Sequence, residues 1–126
     1  MSYVLFFDGS SRGNPGRGGC GFSLEFNNEE IYYDNKFLGN NITNNESEYS
    51  GLLEGLKYIK EKNIQNVTIK GDSKLVIEQM KGKWQCKANN LKKYYKECLS
   101  LIEDLEIEFL WIPRKENSRA DELANL

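Results

Sequence analysis

At 126 residues, with 39% hydrophobic and 29% charged side chains, the chain fits one soluble globular domain, residues 1–126, and is too short for two. A net charge of −2 supplies no overall basic field for a nucleic-acid partner. No stretch approaches the ~20 apolar residues of a membrane helix.

The opening Met1-Ser2-Tyr3-Val4 shows no basic segment followed by an apolar one, so no secretory leader is expected. The chain has no histidine, and its three cysteines, Cys20, Cys86 and Cys98, are widely spaced without a CxxC pair. That argues against a disulfide framework, a zinc site and histidine-activated nucleophiles. An intracellular, cytoplasmic, reducing location is the expectation, with chemistry left to carboxylates, lysines or metals.

Tyr3–Asp8 (YVLFFD) is an apolar run suited to a buried strand that Asp8 closes before Gly9-Ser10. Arg12–Gly21 is glycine-rich and reads as a loop or tight turn. Phe22–Phe26 alternates as a half-buried strand, Asn27-Asn28 supplies a hairpin turn, and Ile31–Leu38 returns as a third strand. From Asn45 the period changes: Tyr49, Leu52, Leu53, Leu56 and Ile59 recur at helical spacing until Lys62-Asn63. Val67–Gly71 is a fourth strand, Leu75–Met80 is helical, and residues 91–105 carry Leu91, Tyr95, Cys98, Leu99 and Ile102 on one helical stripe. Ile107–Ile112 is a fifth strand broken by Pro113, and Ser118–Leu126 is a terminal helix. The order β-β-β-α-β-α-α-β-α predicts an α/β fold: a five-stranded mixed sheet with helices packed on it.

Lys81–Lys96 holds six lysines (81, 83, 87, 92, 93 and 96), no acid, and Trp84, Tyr94 and Tyr95 between them. Such a run is either a solvated helix face or a surface that tracks a nucleic-acid backbone and stacks on bases.

Asp8 and Asp72 each end a strand. If those strands lie parallel and adjacent, both side chains emerge at the sheet edge where α/β folds bind ligands. Paired carboxylates repel, and a hard divalent cation resolves the repulsion. Each has a plainer explanation, Asp72 as a helix cap and Asp8 as a turn residue. Thr43-Asn44-Asn45-Glu46 fits a capping box, which occupies Glu46 and leaves Glu48 without a structural role. A helical wheel does not separate these two glutamates. Asp121 lies three residues after Ser118 and forms either a capping pair with it or part of a site.

Asp8-Gly9-Ser10, Gly13-Asn14-Pro15-Gly16, Thr43-Asn44-Asn45 with Glu48-Tyr49, Asp72-Ser73, and Ala120-Asp121 with Leu123-Ala124 stand in this order along residues 3–125. Together they resemble type 1 ribonuclease H. The resemblance implies a ribonuclease H-like sheet, three antiparallel strands then two parallel. It also implies endonucleolytic hydrolysis of the RNA strand of RNA–DNA hybrids, leaving 5′-phosphate and 3′-hydroxyl ends. Two Mg2+ ions are implied, with Mn2+ a substitute. Asp8 would bridge both, Glu48 and Asp72 would hold one near the leaving 3′ oxygen, and Asp121 would hold the other.

By position in that family, Asn14, Asn44 and Asn45 resemble contacts to RNA 2′-hydroxyls. Thr43 resembles part of a DNA-phosphate pocket, with Asn89 or Asn90 its partner. Trp84 resembles an aromatic in the DNA-strand channel, with Lys83 and Lys87 beside it. Many relatives carry a histidine before the last helix; this chain resembles a histidine-lacking subgroup with Ile112-Pro113-Arg114, so Arg114 takes that place. Asn41 stands where relatives have an arginine in the phosphate pocket, and Lys81–Asn90 is shorter than their basic protrusion. A monomer is expected, with no membrane partner. The rival readings are a non-catalytic hybrid-binding module, which loss of a carboxylate would favour, and another nuclease of the same broad fold, which would show other acid spacings.

Overall fold

The computed structural model describes residues 2–126. Met1, the first residue of the tetrapeptide read for a leader and of the expected domain, lies outside them. Strands β1 (Tyr3–Arg12), β2 (Gly16–Phe26) and β3 (Glu29–Ile42) form an antiparallel meander. Asn27 and Asn28 turn the β2–β3 hairpin with φ of 51° and 70°, the left-handed geometry that two-residue hairpin turns require. Then follow α1 (Asn44–Glu61), β4 (Asn66–Gly71), α2 (Lys74–Met80), α3 (Asn89–Ile102), β5 (Glu106–Trp111) and α4 (Ser118–Ala124). The sheet runs β3-β2-β1-β4-β5, with β1, β4 and β5 parallel.

The apolar stripe of α1 (Tyr49, Leu52, Leu56, Ile59) meets Leu5, Phe7, Phe22 and Leu24 in a fully enclosed core. Helix α3 packs outside α1, and α4 covers part of the other sheet face against β1 and β2. Strand β2 is therefore covered on both sides. Ser23, on the side expected to face solvent, is buried, and its hydroxyl donates to Glu30 at 2.6 Å.

The glycine-rich Arg12–Gly21 segment is a correction. Only its tip is a turn, and β2 begins at Gly16. Glycines 19 and 21 lie directly beneath the backbone of α4, where a Cβ would collide with Leu123 and Ala124. Close helix–strand approach, not a loop, explains them. Strand β1 likewise runs beyond Asp8 to Arg12 by pairing with β2. Helix α3 spans 89–102 rather than 91–105, α4 ends at Ala124, and a single 3-10 turn forms at Arg114–Glu116, where the residues gave no helical signal. Among the described residues no helix is long and apolar enough to cross a membrane, and the three cysteines are unpaired.

Candidate active site

The parallel β1–β4 ladder ends at the Phe7–Gly71 pair. Asp8 is the next residue of β1 and Asp72 directly follows β4, so both carboxylates emerge at the carboxyl end of the ladder, where α/β sheets leave a crevice. Asp72 does not cap α2. Ser73 does, its hydroxyl accepting from Val76 N at 3.3 Å.

Glu48 arrives from the other side of the cleft. At the start of α1 the capping box forms as expected: Glu46 N donates to Thr43 Oγ1 at 3.1 Å, and Thr43 N donates to Glu46 Oε1 at 2.9 Å. Two residues later Glu48 turns onto the sheet. Helix and strand can touch backbone to backbone there because Gly9 faces the Ser47 peptide and Gly51 faces the Asp8 carbonyl, with no room for a Cβ at either. Asp8 and Glu48 are thus only 3% and 7% exposed. One carboxylate oxygen each from Asp8, Glu48 and Asp72 lies within 4.8 Å of the others.

Asp121, on α4, lines the same cleft of about 420 Å3 but stands outside that tight trio. It pairs with Arg114 at 3.6 Å and accepts from Asn125 Nδ2 at 3.2 Å. Its amide donates to the Asn117 carbonyl, and Asn117, not Ser118, occupies the cap position. The alternative capping pair is therefore not formed.

Burial, then the facing charge of Asp72, pushes the Asp8 carboxyl up to about 7. Burial, then the charge of Asp8, holds the Glu48 carboxyl well above the ordinary range. Among the described residues Glu48 Oε1 is buried without a hydrogen-bond partner. An all-oxygen set with an orphaned buried acceptor and mutual repulsion fits a hard divalent cation. Asp8, Glu48 and Asp72 can hold such an ion, and Asp121 offers a further ligand across the cleft.

Sequence reasoning missed Asn117. Its side chain is 1% exposed, and Nδ2 donates to the Phe7 carbonyl at 2.9 Å and to Asp72 Oδ1 at 3.3 Å. It ties the end of β1 to the Asp72 carboxylate. Asn125 does similar work for Asp121 and also accepts from the Ser10 hydroxyl at 2.7 Å. Neither has a local signal, because asparagine near a helix end is ordinary.

The expected substrate contacts divide into groups. Asn14, at the β1–β2 tip, accepts from Asn44 N at 2.8 Å, and Asn44 lines the carboxylate cleft with Arg114. Asn45 is exposed beside it. Asn90 and Asn89 line a separate groove between α1 and α3 with Glu46 and Lys93. Thr43 is not part of that groove's lining, although its capping partner is. Trp84 is 44% exposed, so it is not a core residue. It sits with exposed Lys83 and Lys87 on the α2–α3 connection, away from the cleft lining. Buried Gln79 secures that connection, accepting from Tyr49 Oη at 2.5 Å and donating to the Gln85 carbonyl at 3.0 Å. Tyr94 and Tyr95, half-buried on α3, pack against the core, and Tyr94 also lines the α1–α3 groove beside Lys93.

Residues 6–126 match the family model described as Reverse transcriptase-like. The bifunctional protein Rv2228c of Mycobacterium tuberculosis is 37% identical over 127 residues, covering 99% of this chain and 35% of that protein. The chain thus spans about a third of that relative's length. The N-terminal RNase H domain of the same protein, solved as a fusion with maltose binding protein, has a TM-score of 0.94 at 36% identity. It covers 99% of this chain and 91% of that one. Ribonuclease HI of Haemophilus ducreyi is 31% identical, covering 99% of this chain and 89% of the relative. LC11-RNase H1, solved in complex with an RNA/DNA hybrid, has a TM-score of 0.92 at 29% identity, covering 98% of this chain and 94% of that one.

Proposed function

The chain belongs to the type 1 ribonuclease H family, and we propose that it is an endonuclease that hydrolyses the RNA strand of RNA–DNA hybrids. The observation that carries this reading is the convergence of Asp8, Glu48, Asp72 and Asp121, from three different layers of the fold, on one solvent-open cleft. Two divalent ions, Mg2+ with Mn2+ as substitute, held by these four side chains would supply Lewis-acid stabilisation of the attacking and leaving oxygens of an in-line displacement.

The chain's own residues do the rest. Asn117 and Asn125 orient Asp72 and Asp121 through amide donors, fixing which carboxylate oxygens face the cleft. Asn44 presents an amide able to donate to and accept from a ribose 2′-hydroxyl, and Asn14 and Asn45 flank it. Arg114 keeps a largely exposed guanidinium at the cleft mouth, 3.6 Å from Asp121. There it can meet the phosphate of a departing product, in the place a histidine holds in many relatives. The hydroxyl proton of Thr43 stays free to reach a DNA phosphate while its oxygen accepts from Glu46 N, with Asn90 at the neighbouring groove. Trp84, Lys83 and Lys87 would hold the DNA strand further out. Residues 1–126 would act as one such domain.

The test is a hybrid labelled on each strand in turn, incubated with pure protein and Mg2+. The RNA strand should be cut internally to 5′-phosphate and 3′-hydroxyl ends, the DNA strand should stay whole, and EDTA should stop the reaction. No metal-dependent cleavage of the RNA strand would sink the proposal.

A further inference from the structure

Beside the carboxylate cleft lies a second depression of about 250 Å3 whose charged side chains are all cationic. The two share Ser10 and Asn125, whose side chains hydrogen-bond to each other. The second is lined by Arg12, Arg17, Lys36 and Phe37, and among the described residues no Asp or Glu side chain lines it, while the carboxyl group of Leu126 stands at its edge. Arg12 and Arg17 are direct cross-strand partners on β1 and β2. Like charges in that position destabilise an antiparallel pair unless an anion lies between them. Neither guanidinium forms an ion pair with a carboxylate among the described residues, whereas Lys36 lies 3.7 Å from Glu54. Arg17 stacks on the exposed ring of Phe37 at 4.7 Å, which holds the guanidinium plane while leaving its N–H edge open. The turn between the two arginines is fastened to the cleft by the Asn14–Asn44 hydrogen bond.

We propose that Arg12 and Arg17 form a phosphate-binding site for the RNA strand of the hybrid where that strand leaves the carboxylate cleft. The proposal rests on the ribonuclease reading. A strand with its scissile phosphate among the four carboxylates must run out of the cleft, and the side walled by Ser10 and Asn125 delivers it to the arginine pair. Guanidinium forks match phosphate oxygens in two-point contacts, and a phosphate between them relieves the cross-strand repulsion. The lysines of the 81–96 segment lie on other elements.

Binding of a fluorescent hybrid is measured in EDTA across a salt series for wild type, Arg12→Ala/Arg17→Ala and Arg12→Lys/Arg17→Lys, with a melting curve for each. Removing the guanidinium pair that holds this phosphate should weaken binding about tenfold and flatten the salt slope by roughly 0.7–0.9, the value per phosphate neutralised. The lysine pair should keep most of the slope. Hybrids with one uncharged methylphosphonate, placed in turn along the RNA strand, then locate the contact. One position near the cut should weaken wild-type binding several-fold and have no further effect on the alanine pair. An unchanged salt slope, or the same methylphosphonate effect in both proteins, overturns the site. Wild type that cleaves hybrids while the alanine pair binds them equally well overturns this site alone. Wild type that neither cleaves nor binds hybrids overturns the ribonuclease reading and the site with it.

Discussion

Replacing Asp8 with Asn should make the metal-free protein more stable at pH 8 while abolishing hybrid cleavage. In the folded chain the Asp8 carboxyl titrates at about 7 instead of an ordinary 3.8, because burial strips its hydration and Asp72 faces it. The fold therefore holds the Asp8 proton more tightly than the unfolded chain does. The stability this contributes is fully present below about pH 4 and is lost as pH rises through 7. At about 1.4 kcal/mol per tenfold change in proton affinity, the loss amounts to roughly 4 kcal/mol. Glu48 lies against Asp8 and stays buried in the variant, so Asp8→Asn should recover about 2–4 kcal/mol of it. For a domain of this size that is a rise in Tm on the order of 10 °C. Scanning calorimetry in EDTA from pH 4 to pH 9 reads the difference between the two curves, which should be near zero at the acid end and widest above pH 7. Adding Mg2+ at pH 8 should stabilise wild type and leave Asp8→Asn nearly unmoved. Parallel curves, or a variant less stable than wild type at pH 8, would refute the electrostatic account of the cluster.

Glu46→Gln should retain most hybrid cleavage, since glutamine also closes a capping box, whereas Glu48→Gln should lose on the order of 100-fold or more. Steady-state kinetics that reverse the pair would place the functional acid at the helix start instead. Asn117→Ala leaves the Phe7 carbonyl and Asp72 Oδ1 without their donor. Chemical denaturation should show a loss of about 1–3 kcal/mol, and kcat should fall roughly 10–100-fold with KM little changed. Replacing Lys83, Lys87 and Lys92 together with alanine should weaken hybrid binding and flatten its salt slope by up to roughly 0.7–0.9 for each phosphate no longer neutralised. An unchanged slope would leave those lysines as a solvated face. Trp84→Ala should lose about 1–3 kcal/mol of binding while Tm barely moves, because the ring is already exposed; a large drop in Tm with affinity intact would assign it a packing role.

What the chain states locally is what short-range physics controls. The Asn27-Asn28 turn, the capping box at Thr43–Glu46 and the periodic stripe of α1 all formed where the residues put them, because each depends on neighbours within a few positions. Asp8 and Asp72 could be read as a pair only on the condition that β1 and β4 lie side by side, and the Phe7–Gly71 rung meets it. Glu48 and Asp121 were recognisable through family resemblance. What brings Glu48 to Asp8 is long-range: Gly9 and Gly51 strip the Cβ atoms from a helix–strand contact, while glycines 19 and 21 seat α4, which carries Asp121, on β2. The same property made Arg12–Gly21 look like a loop, because composition does not distinguish a glycine that turns the chain from one that lets a helix lie flat on a strand. Asn117 and the Arg12–Arg17 pair were silent in the sequence for a related reason. A polar side chain has meaning only once the carboxylate, carbonyl or cation across from it is in place, and packing of the sheet and its helices alone decides that.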